Sequence, residues 1–105
     1  MRIRVCEICP DSRVTRQDGA RLRETIVRSW SAEEPLDIDF EGKTIASVSF
    51  LDEAIAVLIL DHGPEVVRSR LHLVDLTDGD RRVLNQQVAH RLQQRSEGLR
   101  SAGTE

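Results

Sequence analysis

A chain of 105 residues is long enough to form one domain with its own hydrophobic core, without help from a metal or a disulfide. Hydrophobic residues make up 39% and charged residues 31% of the chain, which is typical of a globular protein. A net charge of −3 and an aromatic content of 3% disfavour nucleic-acid binding. The chain has no excess of positive charge to attract phosphates and few aromatic side chains on which bases could stack. The longest apolar run, 54–60, is too short to cross a membrane, so we expect a cytoplasmic protein without membrane contact.

In chain order, alternating apolar and basic residues first predict a short strand over 2–8. Thr15 followed by Asp18 has the spacing of a capping box, which predicts a helix over 16–30. Apolar residues that alternate with acids over 36–40 predict a second strand.

The apolar pattern changes from a period of two to a helical period within 36–60. Ser49 precedes the helical run and Asp52 follows three residues later, so we expect Ser49 to cap this helix. The helix should end at Gly63, because glycine tolerates the left-handed conformation that closes many helices. Since 54–60 is apolar almost all round, the helix should be covered by the sheet and by a neighbouring helix or another protomer.

Apolar residues over 71–76 predict a third strand, and Thr77 with Asp80 three residues on opens a last helix. The polar stretch 96–105 is expected to be a disordered tail, which leaves one domain over 1–95. The alternation of strands and helices predicts a small α/β fold. We expect a mixed, mostly parallel sheet of about four strands with three main helices.

The two cysteines, Cys6 and Cys9, form an isolated Cys-x-x-Cys pair. Residues three apart on a strand point to opposite faces, so the two thiols would not converge there. A zinc ion would need two further ligands, and His62, His72 and His90 show no paired spacing. We therefore expect reduced cysteines, no metal and no cofactor.

Each charged side chain that could have a functional role could instead simply be exposed to solvent. Arg16 at the start of a helix is either solvated, paired with an acid such as Asp39, or in contact with a partner. Asp37 and Asp39 share one face of a strand. They could bind a cation, or they could be solvent-exposed acids at the end of the sheet, and the sequence pattern fits both. The arginines of the last helix are expected to be solvated: Arg81, Arg82, Arg91 and Arg95.

Five short groups of residues have the types and order found in a known family of bacterial domains: Thr15-Arg16 with Gly19 and Leu22, Asp39-Phe40-Glu41-Gly42, Ser49-Phe50 with Asp52-Glu53, Gly63-Pro64-Glu65, and Leu73-Val74-Asp75-Leu76. Over about 15–95 the chain resembles the STAS domain, the fold of the anti-sigma-factor antagonists. It is more similar still to the uncharacterised bacterial STAS-like domains. The resemblance implies a small STAS-like α/β domain.

In the antagonists, a strand of Asp-Leu-Ser-Gly type leads to Asp-Ser-Ser-Gly at a helix start, where an ATP-binding anti-sigma kinase phosphorylates the second serine. Asp39 and Gly42 match the first motif, and Ser49 falls on the phosphorylated position. Ser47 stands where the second motif has its acid, and Phe50 where it has glycine. The resemblance implies Ser49 as the phosphoacceptor, with Ser47 as the neighbouring candidate.

The surroundings of Ser49 bear on this role. A helix N-terminus favours a phosphoryl group, whereas Asp52 and Glu53 in the same turn would repel it and Phe50 would obstruct a kinase. The alternative is that Ser49 is an ordinary capping hydroxyl.

The resemblance implies a regulatory module that is not an enzyme and that acts by exchanging protein partners, such as an ATP-binding anti-sigma or sensor kinase. Its expected contact surface is the loop before Ser49 and the first turns of the helix. The candidate partner-binding residues are Arg16, Asp39, Phe50, Leu51, Asp52 and Glu53. The alternative is a structural or oligomerising subunit, in which 54–60 lies partly at an interface of a homo-oligomer.

Overall fold

The computed structural model describes residues 1–11 and 13–103, with side chains described up to residue 98. Its elements in chain order are β1 (Arg2–Arg4), α1 (Val5–Ile8), α2 (Arg16–Ser29), β2 (Leu36–Asp39), α3 (Val48–Leu51), a π-helical segment (Asp52–Ala56), α4 (Val57–His62), α5 (Pro64–Arg70), β3 (Leu71–Val74) and α6 (Asp78–Gly103). The three consecutive helical pieces over 48–62 run on without a break, and we call them the central helix. Among the described residues, no helix combines the length and the apolar character that crossing a membrane requires.

The three strands form one parallel sheet in the order β1-β2-β3. The α/β class is confirmed, but the described sheet is wholly parallel and has three strands rather than about four. Arg2, Asp37 and His72 are aligned across the strands and lie on the solvent-facing side of the sheet. Their neighbours Ile3 and Ile38 are buried on the other side, beneath the helices. The fold is therefore a sheet with one polar face and one face covered by helices.

The first strand is shorter than the predicted 2–8. Arg4 is the last residue of β1 and lies opposite Asp39, the last residue of β2. A longer first strand would have no partner there, and the chain instead turns into α1, where the Cys9 amide donates to the Val5 carbonyl at 2.8 Å. The local sequence pattern predicted the strand correctly, but β1 ends where its partner β2 ends.

Helix α2 begins where the capping box predicted. The Asp18 amide donates to Thr15 Oγ1 at 3.2 Å, and the Thr15 amide donates back to Asp18 Oδ2 at 2.9 Å. Leu22 and Ile26 on the apolar face are fully buried. This face packs against the central helix.

The central helix lies between α2 and α6, so the chain's own helices cover it. Its buried residues recur on several sides: Phe50, Leu51, Ala54, Ile55, Ala56, Leu58 and Ile59. Of the two covers that the sequence left open, a neighbouring helix or another protomer, the structure shows neighbouring helices. Gly63, with a φ of 90°, ends the central helix as predicted.

Gly19 allows α2 to approach the central helix closely. A Cβ atom at this position would lie 2.7 Å from the Phe50 carbonyl oxygen and 3.3 Å from the Ala54 nitrogen. We expect Gly19→Ala to lower the free energy of unfolding by about 1–3 kcal/mol, because backbone atoms of two helices would have to separate. Urea denaturation followed by the fluorescence of Trp30, the single tryptophan, would measure the change.

Gly79 provides the matched control. It lies in the first turn of α6, with no heavy atom within 4 Å of a Cβ atom added there. Gly79→Ala should be neutral or stabilising by up to about 1 kcal/mol, since alanine reduces the entropy of the unfolded chain. Equal effects of the two substitutions would contradict the close packing at Gly19.

The last strand and helix differ from prediction at their ends. Strand β3 ends at Val74 rather than at residue 76, because Asp75 adopts a positive φ of 57°, which an extended strand does not accommodate. Helix α6 is described to Gly103 and so runs through most of the predicted tail over 96–105. Residues 104 and 105 of that tail lie outside the described residues, and the prediction of disorder there stays a prediction.

Candidate functional site

Ser47, and not Ser49, caps the central helix. Ser47 has extended backbone angles, and its Oγ accepts a hydrogen bond from the Phe50 amide at 3.2 Å. The predicted capping pair of Ser49 and Asp52 does not form, because the Asp52 carboxylate is bonded to Arg91 instead. The helix therefore begins two residues earlier than the sequence predicts.

Ser49 lies in the first turn of the central helix and is half-buried. Its hydroxyl makes no hydrogen bond to any described residue, yet it is not among the buried polar atoms without a partner. The Ser49 oxygen therefore reaches solvent. This hydroxyl is free of the capping role that occupies Ser47.

The loop before the central helix is held in place by Asp80. The Asp80 carboxylate is buried and accepts from the Ile45 amide at 2.7 Å and from the Ala46 amide at 2.9 Å. Ala46 has a φ of 48°, which a non-glycine residue adopts only when its surroundings impose it. Asp80 is itself anchored in the first turn of α6, where its amide donates to Thr77 Oγ1 at 3.1 Å. Thus α6 dictates the conformation of a loop that precedes it by more than thirty residues.

The outer side of this junction is exposed. Thr44 and Ala46 are exposed, and Val48 is 51% exposed between the two serines. We call 44–49 the loop–helix surface. It borders a groove of about 490 Å³ whose lining residues come from this loop and from the segment before α2: Arg13, Val14, Thr15, Thr44, Ile45, Ala46 and Ser47.

A charged network joins the first part of the π-helical segment to the two neighbouring helices. Arg91 of α6 donates to Asp52 Oδ1 at 2.9 Å and to Asp52 Oδ2 at 2.6 Å. Arg16 of α2 donates to Glu53 at 2.7 Å and to Asp52 at 3.4 Å. Arg23 lies 3.1 Å from the Glu53 carboxylate and donates to the Glu53 carbonyl at 2.6 Å. Three arginines thereby surround two acids.

These contacts shift the pKa values of both acids downwards. The hydrogen bonds from Arg91 lower the pKa of Asp52 and outweigh burial, which acts the other way. Burial alone would raise the pKa of Glu53, but hydrogen bonds from Arg23 and Arg16 more than offset it. Because arginines pair with both acids, they reduce the repulsion that the acids were expected to exert on a phosphoryl group at Ser49.

Two of the predicted contact residues are in the core. Phe50 and Leu51 are 0% exposed, so neither can touch a partner bound to the folded protein. For the same reason Phe50 does not obstruct access to Ser49. The helical period places both side chains inward, because Phe50 lies four residues before the buried Ala54 and Leu51 four residues before the buried Ile55. Asp52, 5% exposed and bound by Arg91, is likewise closed to a partner. The surface prediction is corrected for these three residues, and Val48 is the exposed apolar residue of this turn.

Arg16 and Asp39 are not brought together. Arg16 pairs with Asp52 and Glu53, whereas the buried carboxylate of Asp39 lies 3.3 Å from Arg2 and accepts from the Glu41 amide at 2.9 Å. Asp39 therefore stabilises the end of β2 instead of contributing to the loop–helix surface.

The carboxylates of Asp39, Glu41 and Asp75 lie within 4.8 Å of one another, at the carboxyl ends of β2 and β3. Oxygen ligands at this spacing suit a hard cation such as Mg²⁺. Asp39 is already engaged by Arg2 and an amide, and the other two acids are exposed. The expectation of no metal stays a prediction.

Both cysteines are unpaired thiols. Cys9 is buried, and burial raises the pKa of its thiol, which disfavours the reactive thiolate. Cys6 is half-buried.

Sequence reasoning missed Asp80, Arg91 and Arg23. Asp80 carried a local signal only for capping α6, and Arg91 looked like a solvated arginine of a surface helix. Their partners lie 30 to 39 residues away in the chain, and no pattern of local spacing connects them.

The fold and the site define a small α/β domain in which a fixed loop presents the start of a buried helix. Residues 18–81 match the family model described as a STAS-like domain of unknown function (DUF4325), and the chain belongs to this family. The match runs from the first turn of α2 past Asp80, so it contains the loop–helix surface and the residue that holds it. The predicted resemblance is confirmed. Comparisons with curated proteins and with solved structures gave no match.

Proposed function

We propose that this chain is a non-catalytic regulatory module that binds a protein partner through the loop–helix surface. The observation that carries the proposal is Val48, an apolar side chain 51% exposed on a segment whose backbone is fixed by Asp80. A preorganised backbone loses little entropy on binding, and an apolar side chain gains when a partner covers it. Both properties favour recognition by a protein surface.

The proposed partner is an ATP-binding anti-sigma or sensor kinase, and the proposed phosphoacceptor is Ser49. Its hydroxyl reaches solvent, whereas that of Ser47 accepts from the Phe50 amide. Phosphorylation would add a charge of about −1.5 to −2, which the helix N-terminus favours by about 0.3–1 kcal/mol. The arginines around Asp52 and Glu53 reduce the opposing repulsion. A charged group beside Val48 would then oppose its burial by a partner.

Substitution of Val48 tests the binding surface. We expect Val48→Glu to weaken binding of the partner recovered with the native protein by about tenfold or more, since a charge would be buried in the contact. Val27 offers a matched control, because it is 39% exposed and lies near the C-terminal end of α2. Val27→Glu should leave binding unchanged. Unaltered binding of Val48→Glu, measured by calorimetry with both variants folded, would remove the loop–helix surface from the proposal.

Phosphorylation is tested on the protein recovered from cells with its partner. Mass spectrometry should find phosphate on Ser49, and incubation of the partner with ATP should label the wild type and Ser47→Ala but not Ser49→Ala. An unmodified Ser49 in every growth condition, without an ATP-binding partner, would refute the switch. Binding without phosphate would keep the interaction and reject its regulation.

The structural or oligomerising subunit has less support. That alternative relied on apolar residues of 54–60 at a protomer interface, and Ala54, Leu58 and Ile59 are buried within the chain itself. Sedimentation velocity of the purified protein would measure its oligomeric state directly.

A further inference from the structure

A second surface lies at the edge of the sheet. Strand β3 pairs with β2 on one side, and on its other side a groove of about 660 Å³ separates it from α5 and α6. The groove shares no lining residue with the loop–helix surface. Its residues are Ile55, Ile59, Pro64, Val67, Arg68, Leu71, His72, Leu73, Arg81, Leu84, Asn85, Val88 and Leu92.

The floor of this groove is lined by apolar side chains, and its rim carries basic ones. Val88 is half-buried and Leu92 is 37% exposed, so apolar surface remains open to a ligand. Arg68, His72 and Arg81 are exposed, and the lining contains no acid. Charge complementarity therefore favours an occupant that carries both apolar side chains and carboxylates.

The backbone of β3 offers hydrogen bonds to the same occupant. The Phe40 amide donates to the Val74 carbonyl at 2.9 Å, which directs Val74 towards β2. Successive residues of a strand direct their amides and carbonyls to opposite edges, so those of Leu73 face the groove. The Leu71 amide on this edge already donates to the Val67 carbonyl of α5, so the part of the edge that can accept an additional strand is at Leu73.

Strand β2 shows which side chains suit a neighbour of β3. Its Leu36 and Ile38 are buried beneath the helices, whereas Asp37 lies 3.5 Å from His72 Nδ1 on the polar face. A strand on the opposite edge of β3 would meet the same apolar layer below and His72 above, with Arg68 and Arg81 at the rim.

We propose that this groove binds an extended segment of a partner protein in which apolar and acidic residues alternate, added as a strand along β3. The occupant is distinct from the partner of the loop–helix surface, and the proposal does not depend on that surface. The apolar side chains pack into the groove beside Val88 and Leu92. The carboxylates lie near His72 and the two arginines of the rim.

The test uses a capped peptide with the sequence of residues 35–42, PLDIDFEG, as the probe and the full-length protein as the receptor. Fluorescence anisotropy should detect binding that weakens as salt is added. Arg81→Glu should weaken it about tenfold. Arg82→Glu changes the adjacent exposed arginine, which does not line the groove, and should leave binding unchanged. The amide signal of Leu73 should shift in the NMR spectrum when the peptide binds.

Several results would overturn the proposal. Absence of peptide binding, equal binding of the lysine version PLKIKFEG, or equal losses in the two arginine variants would each do so. Shifts confined to 44–49 would move the peptide to the other surface. A wild-type dimer that Arg81→Glu dissociates would assign the groove to a second copy of the chain. The tests of Val48 and Ser49 use the partner recovered from cells, so they succeed or fail independently of these peptide results.

Discussion

Replacing Asp80 with alanine is expected to lower the free energy of unfolding by about 3 kcal/mol and to abolish partner binding at the loop–helix surface. The substitution removes the acceptor from the Ile45 and Ala46 amides, and an unsatisfied buried group costs about 1–3 kcal/mol. The Ala46 amide has no other acceptor among the described residues, so we expect this part of the loop to relax from the positive φ of Ala46. Urea denaturation and calorimetry with the partner measure the two effects separately.

Asp78 is the matched control for Asp80. It lies in the same first turn of α6 but is exposed, so Asp78→Ala should change stability by no more than about 0.5 kcal/mol. If Asp80→Ala matched this control, the two amides would have to be satisfied by water. If it lost stability but kept full partner binding, the loop conformation would not matter for recognition.

The second large effect is expected at Asp52. Asp52→Ala leaves Arg91, whose side chain is only 21% exposed, without its two-bond partner. Breaking a buried ion pair costs about 3–5 kcal/mol, and the partial exposure of Arg91 reduces our expectation to about 2 kcal/mol. Asp61→Ala, on an exposed acid at the end of the same helix, is the control and should be nearly neutral. A double-mutant cycle of Asp52 with Arg91 isolates the coupling energy.

The same network predicts acid sensitivity. The pKa values of Asp52 and Glu53 are lowered in the folded state from ordinary values of 3.8 and 4.5. A lowered folded pKa means that the stability from these acids is complete above the unfolded values and is lost as the pH falls through the folded ones. Unfolding free energies measured from pH 7 downwards should therefore decline below about pH 4.5, and less steeply in Asp52→Ala. Parallel profiles would show that other acids cause the decline.

The capping residues show how far local reasoning reaches. The reciprocal bonds of Thr15 and Asp18 formed as predicted, because both partners lie within one helical turn and the geometry follows from spacing alone. Ser49 and Asp52 have the same spacing but did not pair. Arg91, 39 residues from Asp52, binds that carboxylate with two charged hydrogen bonds, which are stronger than a cap. The helix then begins at Val48, after Ser47.

The buried residues also separate what the sequence pattern predicts from what it does not. The alternation of 36–40 correctly predicted a strand with one apolar face, and the helical period of 51–59 correctly predicted a helix. The same period places Phe50 four residues before Ala54 and Leu51 four residues before Ile55, and all four side chains are buried. The assignment of Phe50 and Leu51 to the contact surface came from the resemblance and not from the helical period, and burial within the chain overturned it.

The sequence by itself determined the α/β class, the order of the three strands and the three main helices, the start of α2 and the end of the central helix, because these depend on contacts within a few residues. It also carried the family membership, through the match of residues 18–81 to the family model. Only the tertiary structure decided the cap at Ser47, the fixed loop, the charged network and the groove beside β3. Each depends on side chains or strands that are distant in the chain, and their proximity is set by packing rather than by spacing.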